Sequence, residues 1–216
     1  WLKNYLDATK SKDVDLIIEL IGGAEGSAKK LVFNALKNKK HVVTANKALI
    51  AKYGDKLAKI AEKNKVNLEF EAAVCGGLPI IRSLKEGLIA NRISKIYGIF
   101  NGTTNYILSQ MYKNKISFKD SLNLAIKNGF AEQNSSSDLS GKDATHKLTL
   151  LSNLSFQQKF QFKDISYSGI ENIKLIDLDY GLQLGYKLKL LSISEKIGSK
   201  FYSSVAPCFV NKDSLM

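Results

Sequence analysis

The sequence predicts an α/β chain: a partial doubly wound parallel sheet over residues 1–75, followed by an α+β part over 76–216 with a mixed sheet. Three observations predict it. Short apolar runs alternate with helix-period stripes through the first third of the chain, the links between them are short, and Gly76-Gly77-Leu78-Pro79 then breaks the alternation. Strand–helix–strand–helix–strand with short links requires parallel strands and right-handed crossovers. The 216 residues hold enough apolar material, 44%, for a buried core.

Residues 14–21 form an apolar run that ends in Gly22-Gly23, a buried strand followed by a tight turn. Residues 26–39 carry a stripe at Leu31, Val32, Ala35 and Leu36, and 41–45 read as a second strand. A longer helix over 48–64 presents Leu49, Leu57, Ile60 and Ala61, and 66–74 read as a third strand. After the break, 80–90 read as helix, 93–100 as strand, and Asn101-Gly102-Thr103-Thr104-Asn105 as a polar turn entering an apolar helix. Residues 117–128 are helical, 133–137 a loop, and a further helix starts at Lys142. In the remainder, 178–189 read as helix, and 189–194 and 201–205 as strands. No internal repeat is present.

Composition narrows the function classes. No apolar run approaches the roughly 18–20 residues that span a bilayer, and the first residues lack a signal-peptide core. Cys75 and Cys208 are too few for a disulfide scaffold, so the expectation is a soluble, cytoplasmic protein. The net charge of +12 comes from lysines scattered over polar helix faces, with clusters at helix ends that complement the macrodipole. With no aromatic-plus-basic platform, neither a nucleic acid nor a membrane is expected as a partner.

The helix from Lys142 carries the sharpest local signal. At about 100° per residue, Asp143 and Lys147 lie about 40° apart, inside the arc of Ala144, Leu148, Leu151 and Leu154. Thr145, His146, Thr149 and Ser152 fall on the opposite side, which reads as solvent-facing. A carboxylate and an ammonium aimed at a core are costly unless paired or facing a cavity. They make either a partly buried structural pair, with the lysine snorkelling out, or a lysine lining a cleft as proton donor with the aspartate fixing it.

Thr44-Ala45-Asn46-Lys47 sits at the carboxyl end of a strand, the edge at which open α/β sheets bind ligands. Lys47 there serves a carboxylate or phosphate, or else Asn46 caps the next helix and Lys47 is solvated. Gly22-Gly23, at another strand end, offers backbone N–H groups to a phosphate or cofactor, or is simply a glycine turn. Residues 71–79, with Glu71, Val74, Gly76 and Leu78, form either a linking turn or an all-oxygen site for a hard monovalent cation.

Together these runs closely resemble the homoserine dehydrogenase family. The matching segments are 19–23, 41–49, Glu71-Ala72-Ala73-Val74 with Gly76-Gly77-Leu78-Pro79-Ile80-Ile81, 101–108, and Gly129-Phe130-Ala131-Glu132 leading to Asp138, Gly141, Asp143, His146 and Lys147. The resemblance implies a Rossmann-like nucleotide domain, then a catalytic and dimerisation domain. It also implies reversible reduction of L-aspartate 4-semialdehyde to L-homoserine with NADP or NAD. By motif position, Lys147 is the acid/base, Lys47 the second lysine over the same oxygen, and Asp143 a catalytic and substrate-holding carboxylate. Glu132, Asp143 and Lys147 bind substrate; Gly22, Gly23, Thr44 and Lys47 lie on the cofactor side; Glu71, Val74, Gly76 and Leu78 offer oxygens to a sodium-like ion. A homodimer is the family expectation.

The departures are an opening Gly-rich strand–turn–helix that this chain lacks, a C-terminus short of the family's, and Asn134-Ser135-Ser136 and Lys142 at positions where the family differs. They leave open an inactive fragment of the same fold and, more remotely, a basic nucleic-acid-binding module.

Overall fold

The computed structural model describes residues 2–216. Packing divides the chain into two units: everything described up to Arg92 together with Asn153–Gln161, and Ile93–Ser152 with Phe162–Met216. The change of character read at residue 75 therefore falls inside the first unit.

In the first unit, strand β1 (Leu16–Glu19), helix α1 (Ser27–Lys37), strand β2 (His41–Thr44), helix α2 (Lys47–Asn64) and strand β3 (Leu68–Glu69) alternate as expected. The three strands are parallel in the order β1-β2-β3, with Glu19 level with Thr44. α1 buries Ala28, Leu31, Val32, Ala35 and Leu36, and α2 buries Leu49, Ile50, Leu57 and Ala61, so the two stripes face the core. Asn46 caps α2 by accepting from Leu49 N at 3.0 Å, and Lys65 closes the helix in the left-handed conformation at φ +55°.

Three readings are corrected in this unit. The 14–21 run is not a buried strand on both faces: Ile17 and Glu19 point inward while Leu16 and Ile18 are exposed. The third strand stops at Glu69, because the chain turns into a short 3₁₀ segment, Glu71–Ala73. The helix expected over 80–90 is α3 (Ile80–Arg82) continued by one wide π turn to Gly87, closed by Leu88 N on Ser83 O at 2.8 Å.

The second unit contains strand β4 (Lys95–Gly98), helices α4 (Gly102–Asn114), α5 (Phe118–Lys127), α6 (Ser136–Leu139) and, up to Ser152, α7 (Lys142–Phe156), then strand β5 (Ser166–Tyr167), helix α8 (Leu175–Gln183) and strands β6 (Tyr186–Ile197) and β7 (Lys200–Asn211). The sheet order is β4-β6-β7-β5, antiparallel except for the parallel β5/β7 pair. Ile107, Leu108 and Met111 of α4, Leu148 of α7, Leu178 of α8, and Leu188 and Leu190 of β6 are among the residues that form its core.

The 133–137 loop and the 178–189 helix are both corrected. Ser136–Leu139 close one helical turn, with Leu139 N on Ser135 O at 3.0 Å. Gly185, at φ +84°, ends α8, and the period-2 run Lys187-Leu188-Lys189-Leu190 beyond it belongs to β6. The wet face assigned to α7 is also absent: Thr145, Thr149 and Ser152 are buried, while His146 is half-buried with its ring centroid 4.6 Å from that of Phe162. The two threonines escape a polar penalty by donating to carbonyls one turn back, Gly141 O and Thr145 O, each at 2.8 Å.

Among the described residues, no helix is long and apolar enough to cross a membrane.

Candidate active site

At the carboxyl ends of β1 and β2 the first unit builds a buried polar knot. Glu19 is fully buried. Its Oε1 accepts from Ile21 N at 2.7 Å and Gly22 N at 3.0 Å, and its Oε2 accepts from the Thr44 hydroxyl at 2.5 Å. The same hydroxyl accepts from Asn46 N at 2.9 Å, and Asn46 Nδ2 donates to Gly23 O at 2.7 Å. One carboxylate and one amide thus tie the Gly22-Gly23 turn to the start of α2. Gly22 and Gly23 sit at φ +81° and +78°, with open space where a Cβ would project. That conformation suits glycine and leaves the turn bare toward a ligand.

Thr44 is 1% exposed, with its hydroxyl turned into this knot. Lys47 is half-buried on the first turn of α2, directly after the Asn46 cap. Glu19 escaped the sequence reading because a glutamate ending an apolar run looks like a strand end. Its signal was the same residue's place in the 19–23 segment. Replacing Glu19 by Ala is expected to cost about 2–4 kcal/mol, because two N–H groups and a hydroxyl lose a charged acceptor. The urea midpoint of unfolding measures it.

A second tether holds the loop that follows. The Glu25 carboxylate receives Lys29 Nζ and Lys52 Nζ at 2.8 Å each, and the Tyr53 hydroxyl. These donors, Lys29 foremost, hold its pKa down to about 2.

Residues 71–78 double back through Cys75 and Gly76, both at φ +58°. The Glu71 carboxylate accepts from Ile81 N and Arg82 N at 2.8 Å each, and so caps α3. Glu71 O accepts from Val74 N, and Leu78 O from Ile80 N. Among the described residues no three His, Cys, Asp or Glu side chains gather to hold a metal. Glu71, Val74, Gly76 and Leu78 share one reversal of the chain, within which the Glu71 carboxylate and the Glu71 and Leu78 carbonyls already accept these backbone N–H groups.

The second unit brings Asp143 and Lys147 together as the helical projection required, with Lys147 Nζ 2.8 Å from Asp143 Oδ2. The side chains are 18% and 9% exposed, so the pair is largely shielded from solvent. Lys147 Nζ also donates to Phe100 O at 2.8 Å. Asn101, 4% exposed at the head of α4, donates through Nδ2 to Asp143 Oδ2 at 3.0 Å and to Asp138 Oδ1 at 2.6 Å. The Phe100 carbonyl between β4 and α4, the α4 cap, α6 and α7 therefore converge on one ammonium and two carboxylates.

Glu132 is exposed, and its segment is anchored at both ends to the start of α4. On one side Thr103 Oγ1 donates to Phe130 O at 2.7 Å and the Phe130 ring stacks on Tyr106 at 4.1 Å; on the other Asp138 meets Asn101. In the sequence Asn101 reads as part of a polar turn and of the 101–108 run, with no role of its own. The bridge it makes spans 37 and 42 residues of chain, beyond the reach of any local pattern.

A parallel-sheet unit with a glycine turn at its strand ends, followed by an α+β unit carrying a shielded lysine–aspartate pair, belongs to the class of two-part α/β proteins whose open sheets bind ligands at their strand ends. The particular family is shown by comparison. The model of the homoserine dehydrogenase family matches residues 79–216, and that of the homoserine dehydrogenase NAD-binding domain matches residues 2–71. The chain belongs to the homoserine dehydrogenase family.

Homoserine dehydrogenase of Neisseria gonorrhoeae is 43% identical over 216 residues, 100% of this chain and 49% of its own. The crystal structure of a homoserine dehydrogenase from Thiobacillus denitrificans superposes with a TM-score of 0.93 at 43% identity, covering 99% of this chain and 49% of that one. A hyperthermophilic archaeal homoserine dehydrogenase, solved in complex with NADPH, gives a TM-score of 0.81 at 25% identity, covering 100% of this chain and 62% of its own. The chain spans about half the length of the curated relatives it matches.

Proposed function

We propose that the protein is an NAD(P)-dependent oxidoreductase interconverting L-homoserine and L-aspartate 4-semialdehyde, a step of amino-acid biosynthesis. The observation that carries this reading is the shielded Asp143–Lys147 pair, with Lys147 Nζ fixed by two acceptors at 2.8 Å each.

A nicotinamide dinucleotide, when bound, supplies or accepts the hydride at the carbon. The chain's own residues handle the proton and the charge. Lys147 gives a proton to the carbonyl oxygen as it becomes an alkoxide, and takes it back from the hydroxyl in the other direction. Asp143 keeps that ammonium aimed, and with Glu132 holds the substrate's ammonium group. A cation beside the developing oxyanion lowers the barrier most where water is scarce, which favours a lysine with few exposed atoms.

On the cofactor side we read the open Gly22-Gly23 turn, Thr44 at the end of β2, and Lys47, whose ammonium we take as the second cation of the reaction. Glu71, Val74, Gly76 and Leu78 are read as the oxygen donors for a monovalent cation that stiffens the turn before α3. The assembly is read as a homodimer.

The test is homoserine-dependent reduction of NADP+ or NAD+ by the full chain at about pH 9, between neutrality and the usual lysine range. Turnover that requires homoserine supports the reading. No turnover with either cofactor rejects it.

A further inference from the structure

We propose that Asn101 is a positioning residue whose side-chain amide holds Asp138 and Asp143 side by side and thereby sets the aim of Lys147. The inference rests on the dehydrogenase reading and adds a residue to it.

The orientation of the amide is not a free choice. Asn101 Oδ1 accepts from Thr104 N at 2.8 Å as the cap of α4, so Nδ2 must face the two carboxylates. Its two N–H groups are shared between an oxygen on α6 and an oxygen on α7, at 2.6 and 3.0 Å. The Asp143 oxygen it holds, Oδ2, is also the one that pairs with Lys147. Two carboxylates on one nitrogen repel each other. A neutral amide joins them by hydrogen bonds without cancelling their charge, which a lysine or arginine in its place would do.

Capping alone does not call for asparagine. Serine and threonine cap helices as well, through one oxygen, and neither can donate to two acceptors while accepting from the backbone. At this position the helix start needs only the oxygen, and the nitrogen serves the acidic pair. Without it Asp138 and Asp143 move apart, and the chain of contacts from α6 through α7 to Lys147 loses its middle member.

Asn101→Ser separates the two roles, because it keeps the cap and deletes the bridge. In the full chain the KM for homoserine is expected to rise about tenfold and kcat to fall, while the KM for NADP+ stays within about twofold. KM values do not depend on how much of the preparation is folded, so partial unfolding cannot produce that split. Asn101→Thr is expected to behave as the serine variant does. Unchanged KM values for both substrates in an active variant overturn the proposal, as does a parallel rise in both. A wild-type chain with no homoserine turnover removes the dehydrogenase reading itself, whereas an active wild type beside an unaltered serine variant removes the role of Asn101 alone.

Discussion

Replacing Lys147 by Met is expected to lower kcat about a thousandfold while the KM for NADP+ changes little. Methionine matches the length and apolar stem of lysine, so the packing of α7 through Leu148 into the core survives. What disappears is the ammonium that lies 2.8 Å from both Phe100 O and Asp143 Oδ2. In the direction of aldehyde reduction the new alkoxide then has no proton donor beside it, and in the reverse direction the hydroxyl has no base. Steady-state assays in both directions check this. Normal turnover in the variant removes Lys147 from the chemistry, and a large rise in the NADP+ KM assigns it to binding instead.

Gly169→Ala is expected to cost about 3 kcal/mol or more, and to lower the melting temperature by roughly 10 °C. A Cβ at residue 169 would stand 1.9 Å from Leu139 O and 2.5 Å from Ser140 Cα, both backbone atoms that no rotamer change can move aside. The contact is tight because Ile170 N donates to Leu139 O at 2.9 Å and draws the two segments together. Gly141, at φ +84°, packs against Ser168 O in the same seam. The seam lies between Asp138 and Asp143 in the chain, so forcing it open disturbs the acidic pair as well as the fold. Calorimetric melting and homoserine turnover of the same variant report the two effects separately. An unchanged melting temperature shows that the seam yields without strain.

Much of this architecture was legible because it is local. The stripes of α1 and α2 reach the core as their periodicity required, β2 occupies the strand-like run, and Asn46 caps the helix that follows it. The Asp143–Lys147 pair was legible for the same reason, since four residues of helix set its geometry.

What escaped the sequence depends on contacts far along the chain. Thr145 and Thr149 looked solvent-facing because a helical projection sees one apolar arc. In the structure their side of α7 is buried too, and each hydroxyl is satisfied one turn back. Glu19 and Asn101 carry side chains common at strand ends and helix caps; only the fold shows that the first holds a glycine turn and the second two carboxylates. The strand β6 was half hidden because leucines alternating with lysines follow directly on a helix, and Gly185 alone marks the change.

The account stands most directly on where homoserine's hydroxyl oxygen lies. A crystal structure of the full chain with bound homoserine locates it. The expected position is about 3 Å from Lys147 Nζ, within hydrogen-bond reach of the proposed proton carrier. A hydroxyl bound out of reach of that nitrogen, with Lys147 still held by Phe100 O and Asp143, contradicts the account.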